Sequence, residues 1–586
     1  MARASVQRKG GGKQRRQGWW IGWAIFGLAL VLRLLFWQAT VDAGWPGSAQ
    51  YKGDAWVWVD YAAALQQGVP FQLDVPLRPP GAAYLLDALW AGGSEGLRSA
   101  TVCWLLLGAW AVALFYAAAR RAFGLTVGVI TGLLCAGSSG LMVLSTSLNN
   151  ETPYLLLLGL IFWLFDRVAG AERLSPVAAW GALNALACLF RVEHALFFGL
   201  AVLWLAAGWW SSGARRRWTA VAVLAVAFGL TLLPWQLAIA RELDRFNHQL
   251  PEVNAASRQA IEAQERALAY LEWTPAANAA RDRLPAFIRQ TGASFVAATV
   301  AHQGRRVVEE GDFQLLAGAF GYLPEDISSW PFIVVSGGLN FVTANHQGAT
   351  GGFDPEPLTR RPPLAGGVAA YPPALISGLP PAELALAYPG HLRLINEGYG
   401  IGWAWLRGHP AAASRLVASK LAIAWRGATL GWSGWNLPLS AGGLRRAVDL
   451  TTPEGRWPAL WRLLFLPLAV WGAILAWSRP PARLWLLFAL SKVLVVMVFY
   501  GYARQGATTI PVIALLLALV GARLLERWGL EVRQLRRIAF SVALLLLALE
   551  TARFVSKPEL EIDGRRVGER DVLHPADHDA HRIAWR

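Results

Sequence analysis

The chain has 586 residues, of which 55% are hydrophobic and only 16% charged, with a mean hydropathy of +0.36. That balance excludes a soluble enzyme: stretches of about 20 apolar residues, enough to cross a bilayer core of about 30 Å, recur along the chain. The formal net charge of +16 does not signal nucleic acid as a partner, because the basic residues gather in short clusters at the ends of apolar runs rather than along one face.

The clusters report orientation instead. Arg8, Lys9, Lys13, Arg15 and Arg16 precede the first apolar run, and Arg120/Arg121, Arg215 to Arg217, Arg479/Arg483 and Arg533 to Arg537 lie between later ones. The positive-inside rule places them in the cytoplasm. The first run has no small-residue cleavage site behind it, so it reads as a retained span after a basic cytoplasmic stretch, 1–17. Spans are predicted near 18–38, 101–119, 124–147, 153–167, 176–190, 195–211, 218–238, 458–477, 484–502, 507–525 and 537–554. The chain therefore reads as an α-helical polytopic membrane protein with about 11 transmembrane helices. The 31 Trp residues fit membrane edges, where an indole satisfies both its apolar body and its N–H.

This topology divides the chain into an N-terminal transmembrane module (18–239) with an external loop at 39–100, an extracytoplasmic segment at 240–457, C-terminal helices at 458–554 and an external tail at 555–586. Within the loop, "YKGDAWVWVDYAAALQQG" (51–68) predicts a helix starting outside the membrane, with Asp54 in its first turn, Asp60 further on and a closing Gly68. "LDVPLRPPGAAYLLDALW" then places Arg78 before a rigid Pro-Pro-Gly turn and a second apolar helix carrying Asp87. Both helices are expected at the interface. The segment 240–457 is expected to be a mixed α/β domain, helical and charge-rich at 251–292 and Gly/Pro-rich at 336–390, and it ends on a helix with Arg415, Lys420 and Arg426 that suits the membrane surface. Cys103, Cys135 and Cys188 lie in apolar spans at spacings that suit neither disulfides nor zinc.

Local sequence leaves the acids open. Asp54 and Glu151 each stand where a helix start favours a negative charge, Glu151 just before Thr152-Pro153. Arg33, near the end of the first span, could snorkel to the headgroups. Arg191 has Glu193 two residues on and could form a structural ion pair with it. Lys492 in mid-span requires a partner or a cavity. The Gly-rich "NHQGATGG" stretch, with Asn345 and His346, reads first as a tight loop and second as an acceptor contact.

"GDAWVWVDYAAALQQG" and "RPPGAAYLLDAL", followed in order by "SLNNETPYLLLL", "FRVEHALFF", "LLPWQLAIAREL", "SGGLNFVTANHQGATGGFDP" and "YARQGATTIP", resemble polyprenyl-phosphate-sugar-dependent glycosyltransferases of the GT-C class. The bacterial aminoarabinose lipid A transferases and the protein O-mannosyltransferases belong to that class. The resemblance implies a bacterial inner-membrane enzyme with its site on the extracytoplasmic side. A sugar on a lipid phosphate would pass with inversion to an acceptor hydroxyl on a lipid, glycan or protein. It implies Asp54 as general base, with Asp60 the weaker choice and Glu151 a second acid near the reaction centre. The leaving phosphate would meet fixed cations, Arg504 and Arg191 ahead of Arg78 and Arg33, with Lys52 and Glu193 grouped with them. Asn149, Asn150, Asn345 and His346 would contact sugar or acceptor. No cofactor is required on this reading. A lipid-linked substrate flippase and a metal-dependent oligosaccharyltransferase are the alternatives.

Overall fold

The computed structural model describes residues 11–40, 54–68, 77–90, 93–169, 173–208, 214–267, 269–283, 293, 296–297, 300–301, 303–316, 331–352, 389–429, 460–529, 532–556, 560–562 and 565–567. They are mostly helical, as a polytopic membrane protein requires, because in lipid every backbone polar group must be satisfied within the segment. Helix α1 (Gly11–Thr40) is followed by two loop helices, α2 (Asp54–Gln67) and α3 (Gly81–Leu89), and then by α4 (Gly93–Phe123). A broken pair, α5 (Leu125–Ala136) and α6 (Ser139–Thr146), precedes α7 (Glu151–Ala169), α8 (Leu174–Phe190), α9 (His194–Gly208) and the long α10 (Ala214–Ala267).

Beyond α10 the described residues hold β1 (Glu272–Trp273), α11 (Pro275–Asp282), β2 (Val307–Val308), α12 (Gly337–Ala344), α13 (Pro389–Gly408) and α14 (Pro410–Ala428). The chain closes with α15 (Leu460–Leu463), α16 (Phe465–Trp477), α17 (Pro480–Val498), the short α18 (Ala503–Ala507), α19 (Ile510–Arg527) and α20 (Val532–Ser556), then a small hairpin of β3 (Leu560–Ile562) and β4 (Arg565–Val567).

Each of the eleven stretches expected to span is mainly helical where it is described, and among the described residues five helices are long and apolar enough to cross a bilayer: 18–38, 96–123, 151–169, 215–248 and 480–498. Shorter apolar helices lie at 125–136, 174–190, 194–208 and 465–477. The run expected at 124–147 breaks at Gly137-Ser138, where the Ser138 hydroxyl accepts from Leu141 N at 3.4 Å and caps a new helix. Helix α10 continues past its apolar part through 239–267. In the segment expected to be α/β, the strand pairing among the described residues is the two-residue parallel match of Glu272 with Val307 and Trp273 with Val308.

The helices close on one aromatic-rich core, in which Phe162 stacks on Trp485 at 4.2 Å and Phe115, Phe197 and Phe488 surround the pair. Cys135 and Cys188 are buried free thiols. The loop helices pack over one end of this bundle. Ala55, Val59, Ala62 and Ala63 of α2 and Leu86 of α3 cluster with Trp104 of α4 and with Leu148 in the turn before α7. At the opposite end lie the last turn of α4 and the start of α10, with Arg121 paired to Asp166 at 2.8 Å and Arg215 and Arg216 exposed.

Candidate active site

The turn 147–151 is built by its own amides. Asn149 Nδ2 donates to Ser147 Oγ at 2.6 Å, its Oδ1 accepts from Glu151 N at 3.1 Å, and its carbonyl accepts from Trp104 Nε1 at 2.8 Å. Asn150 Nδ2 reaches across to Phe190 O at 2.8 Å, which ties this turn to the one at the end of α8. These bonds place Glu151 at the first residue of α7, where the helix dipole favours its charge. They also bring it opposite Arg191.

Five side chains from four segments meet there. Arg191 donates through Nη1 to Glu151 Oε1 at 2.5 Å and through Nε to Glu193 Oε1 at 2.5 Å. Lys492 Nζ donates to Glu193 Oε1 at 3.1 Å, and Arg504 Nε stands 3.0 Å from Glu151 Oε1. The partner that mid-span Lys492 requires is thus Glu193, and the ammonium also lies over the ring of Tyr154 at 5.1 Å. Among the described residues, three cations face two carboxylates in this cluster. Glu151 is fully buried and Arg191 nearly so, whereas Arg504 keeps 28% of its side chain exposed and forms the rim. Glu151 Oε2 is buried and has no hydrogen-bond donor among the described residues.

Burial alone would lower the Arg191 pKa and raise that of Glu193. The paired charges outweigh it: Glu193 and Glu151 raise Arg191, while Arg191 and Lys492 hold Glu193 below the usual carboxylate range. Both groups are therefore ionised at neutral pH. Behind them, Tyr154 Oη bonds His194 Nδ1 at 3.0 Å and His194 Nε2 bonds Asn184 Oδ1 at 3.0 Å, a chain that fixes the Tyr154 ring beneath Lys492.

The other expected residues fall into different places. Helix α2 begins at Asp54, and Ala55 beside it packs in the same cluster as Leu148, three residues before Glu151. Asp60 is buried. Lys52 lies outside the described residues. Arg33 does not snorkel: it is 1% exposed and turned into the bundle, with Nε on Ser145 Oγ at 3.1 Å and Nη1 on Ala29 O at 3.1 Å, apart from the five-residue cluster. Arg78 precedes α3 and is half-buried. His346 Nδ1 lies 2.8 Å from Gln347 O. The Asn345 amide is spent inside the protein, on Phe341 O, Val498 O and Lys420 Nζ. Lys420 and Arg426, expected along the membrane surface, are buried. A lone lysine in the apolar run "LVASKLAIAW" carried the same signal as Lys492, a charge that demands partners. Among the described residues no three of His, Cys, Asp and Glu gather as metal ligands would.

No curated protein matches the chain. Residues 77–235, which hold α3 to α9 and the first part of α10 and with them Glu151, Arg191 and Glu193, match the family profile described as dolichyl-phosphate-mannose-protein mannosyltransferase, a GT-C class family. Together with the apolar helices, this similarity supports a multi-pass membrane glycosyltransferase of the GT-C type.

Proposed function

We propose that the protein transfers a sugar from a polyprenyl-phosphate donor to an acceptor hydroxyl, with inversion, on the extracytoplasmic face. The observation that carries this reading is the cluster of Arg191, Lys492 and Arg504 around Glu151 and Glu193, at the end of the bundle where α2 begins. Arg504 at the rim meets the donor phosphate, with Arg191 behind it. Glu151 and Glu193 hold these cations in place and offset their mutual repulsion, so Glu151 serves as a positioning carboxylate rather than a proton acceptor.

Asp54 is the general base. The acceptor oxygen bonds to the anomeric carbon as its proton passes to the Asp54 carboxylate. The bond from that carbon to the phosphate oxygen breaks, and the electron pair stays on the phosphate, where fixed cations stabilise it without reorganisation. No divalent metal takes part, and turnover should survive chelation. Activity abolished by chelator and restored by magnesium or manganese would replace this reading with the metal-dependent one. The identity of the donor is tested by incubating purified protein with a panel of lipid-phosphate sugars and measuring release of free lipid phosphate. Release from at least one supports the reading, and release from none contradicts it.

A further inference from the structure

Arg504 sits on α18, a helix of five residues that cannot hold its own position. What holds it is a set of contacts from the extracytoplasmic segment. Asn345 Nδ2 donates to Val498 O at 2.9 Å, and Lys420 Nζ donates to Asn345 Oδ1 at 2.8 Å and lies 3.5 Å from Val498 O. Gly501 N donates to Gly351 O at 2.8 Å, and the neighbouring Thr350 O accepts from Ser419 Oγ at 2.6 Å. The Thr343 hydroxyl bonds the Tyr500 hydroxyl. Backbone packing completes the contact, since a Cβ at Gly501 would overlap the carbonyl of Lys420 and one at Gly506 that of Ala424. The chain from Val498 to Gly506 is thereby pressed against α14.

Lys420 is fully buried, and the partners of its ammonium among the described residues are neutral oxygens. Burying an ammonium without a carboxylate costs several kcal/mol, so an apolar residue would pack there more cheaply. Two helix ends explain how the charge is tolerated. Asn345 caps the C-terminus of α12 and Val498 is the last residue of α17, so the negative ends of two helix dipoles converge on the ammonium. The lysine acts as a multi-armed donor joining α12, α14 and α17 at the point where the chain leaves α17 for Arg504.

We propose that Lys420 and Asn345 are positioning residues that fix α18 so that Arg504 stays against Glu151. This rests on the reading that Arg504 meets the lipid phosphate. The Asn345 amide, with both ends engaged internally, serves this role and not acceptor binding.

The test compares wild type, Lys420→Met, Arg504→Ala and the double variant in detergent, with two readouts: affinity for farnesyl phosphate, and hydrogen–deuterium exchange of the peptide spanning 498–508. Lys420→Met should speed exchange in that peptide and weaken binding about fivefold, a loss on the scale of one charge-assisted contact. On the Arg504→Ala background the same substitution should cost less than about twofold, because a residue acting through Arg504 has nothing left to position. Unchanged exchange overturns the proposal, as does an undiminished loss in the double variant. If Arg504→Ala alone leaves binding unchanged, the phosphate reading of Arg504 fails and the positioning role with it, while the exchange data still decide whether Lys420 holds the segment. Should Lys420→Met fail to fold, Ser419→Ala, which removes only the bond to Thr350 O, should shift both readouts in the same direction by smaller amounts, and no shift in either overturns the proposal.

Discussion

The two ends of the helix bundle use charge differently. At one end Arg121 and Asp166 join the last turns of α4 and α7 at 2.8 Å with 34% and 26% of their side chains exposed. At the other, Arg191 meets Glu151 at 2.5 Å with 7% and 0% exposed, and further ions crowd round them. The first pair is partly solvated and worth about 1 kcal/mol or less. The second has lost its hydration and survives only because each of its ions meets an opposite charge, so it is costly to assemble and costly to break. A bundle needing only stability would use the first arrangement at both ends. The second holds three cations in fixed positions, as stabilising a leaving phosphate requires.

The largest effect that would break this comparison comes from Glu151→Gln. It leaves Arg504 and Arg191 without the carboxylate they share, and the folded state in detergent should lose about 3–5 kcal/mol, whereas Asp166→Asn should cost about 1 kcal/mol or less. Thermal melts of the two variants check it; equal losses would mean that the ends do not differ. Asp54→Asn comes next. It keeps size while removing the basic oxygen, so donor binding should persist and turnover should fall at least about a hundredfold, with a smaller loss for Asp60→Asn. An Asp60 variant that loses turnover while the Asp54 variant keeps it would exchange the two acids.

A smaller effect concerns Lys420, which burial pushes down to about 8 from the ordinary 10.5. The folded state then binds its proton less well than the unfolded one does. The penalty is fully present below pH 8 and is relieved as pH rises from 8 towards 10.5, by at most about 1.4 kcal/mol per pH unit. Melts across that window should show wild type gaining on Lys420→Met as pH rises. A constant gap would show that the ammonium is already well solvated.

How much of this was legible in the sequence follows from contact range. The helices could be read because apolar runs and terminal charges are local signals, and Arg191 with Glu193 was visible as a pair two residues apart. Glu151 with Arg191 spans 40 residues, and Lys492 with Glu193 spans 299; no periodicity links them, so Lys492 could be recognised only as needing some partner. Asn345 looked like a contact for acceptor because a Gly-rich loop exposes its amides as a rule. Three partners, two of them distant in sequence, turned this one inward. The snorkelling alternative for Arg33 fails for a related reason: its reach permits snorkelling, and only the position of Ser145, 112 residues on, shows that the side chain turns inward.

The central claim is that lipid phosphate binds at the buried-ion end and nowhere else on the bundle. The direct measurement is the affinity of decaprenyl phosphate for wild type, Arg504→Ala and Arg121→Ala in detergent at two salt concentrations. Binding should weaken at least about fivefold in Arg504→Ala, with a shallower salt dependence, and stay within about twofold of wild type in Arg121→Ala. Binding retained by Arg504→Ala, or lost equally in both variants, would contradict the account.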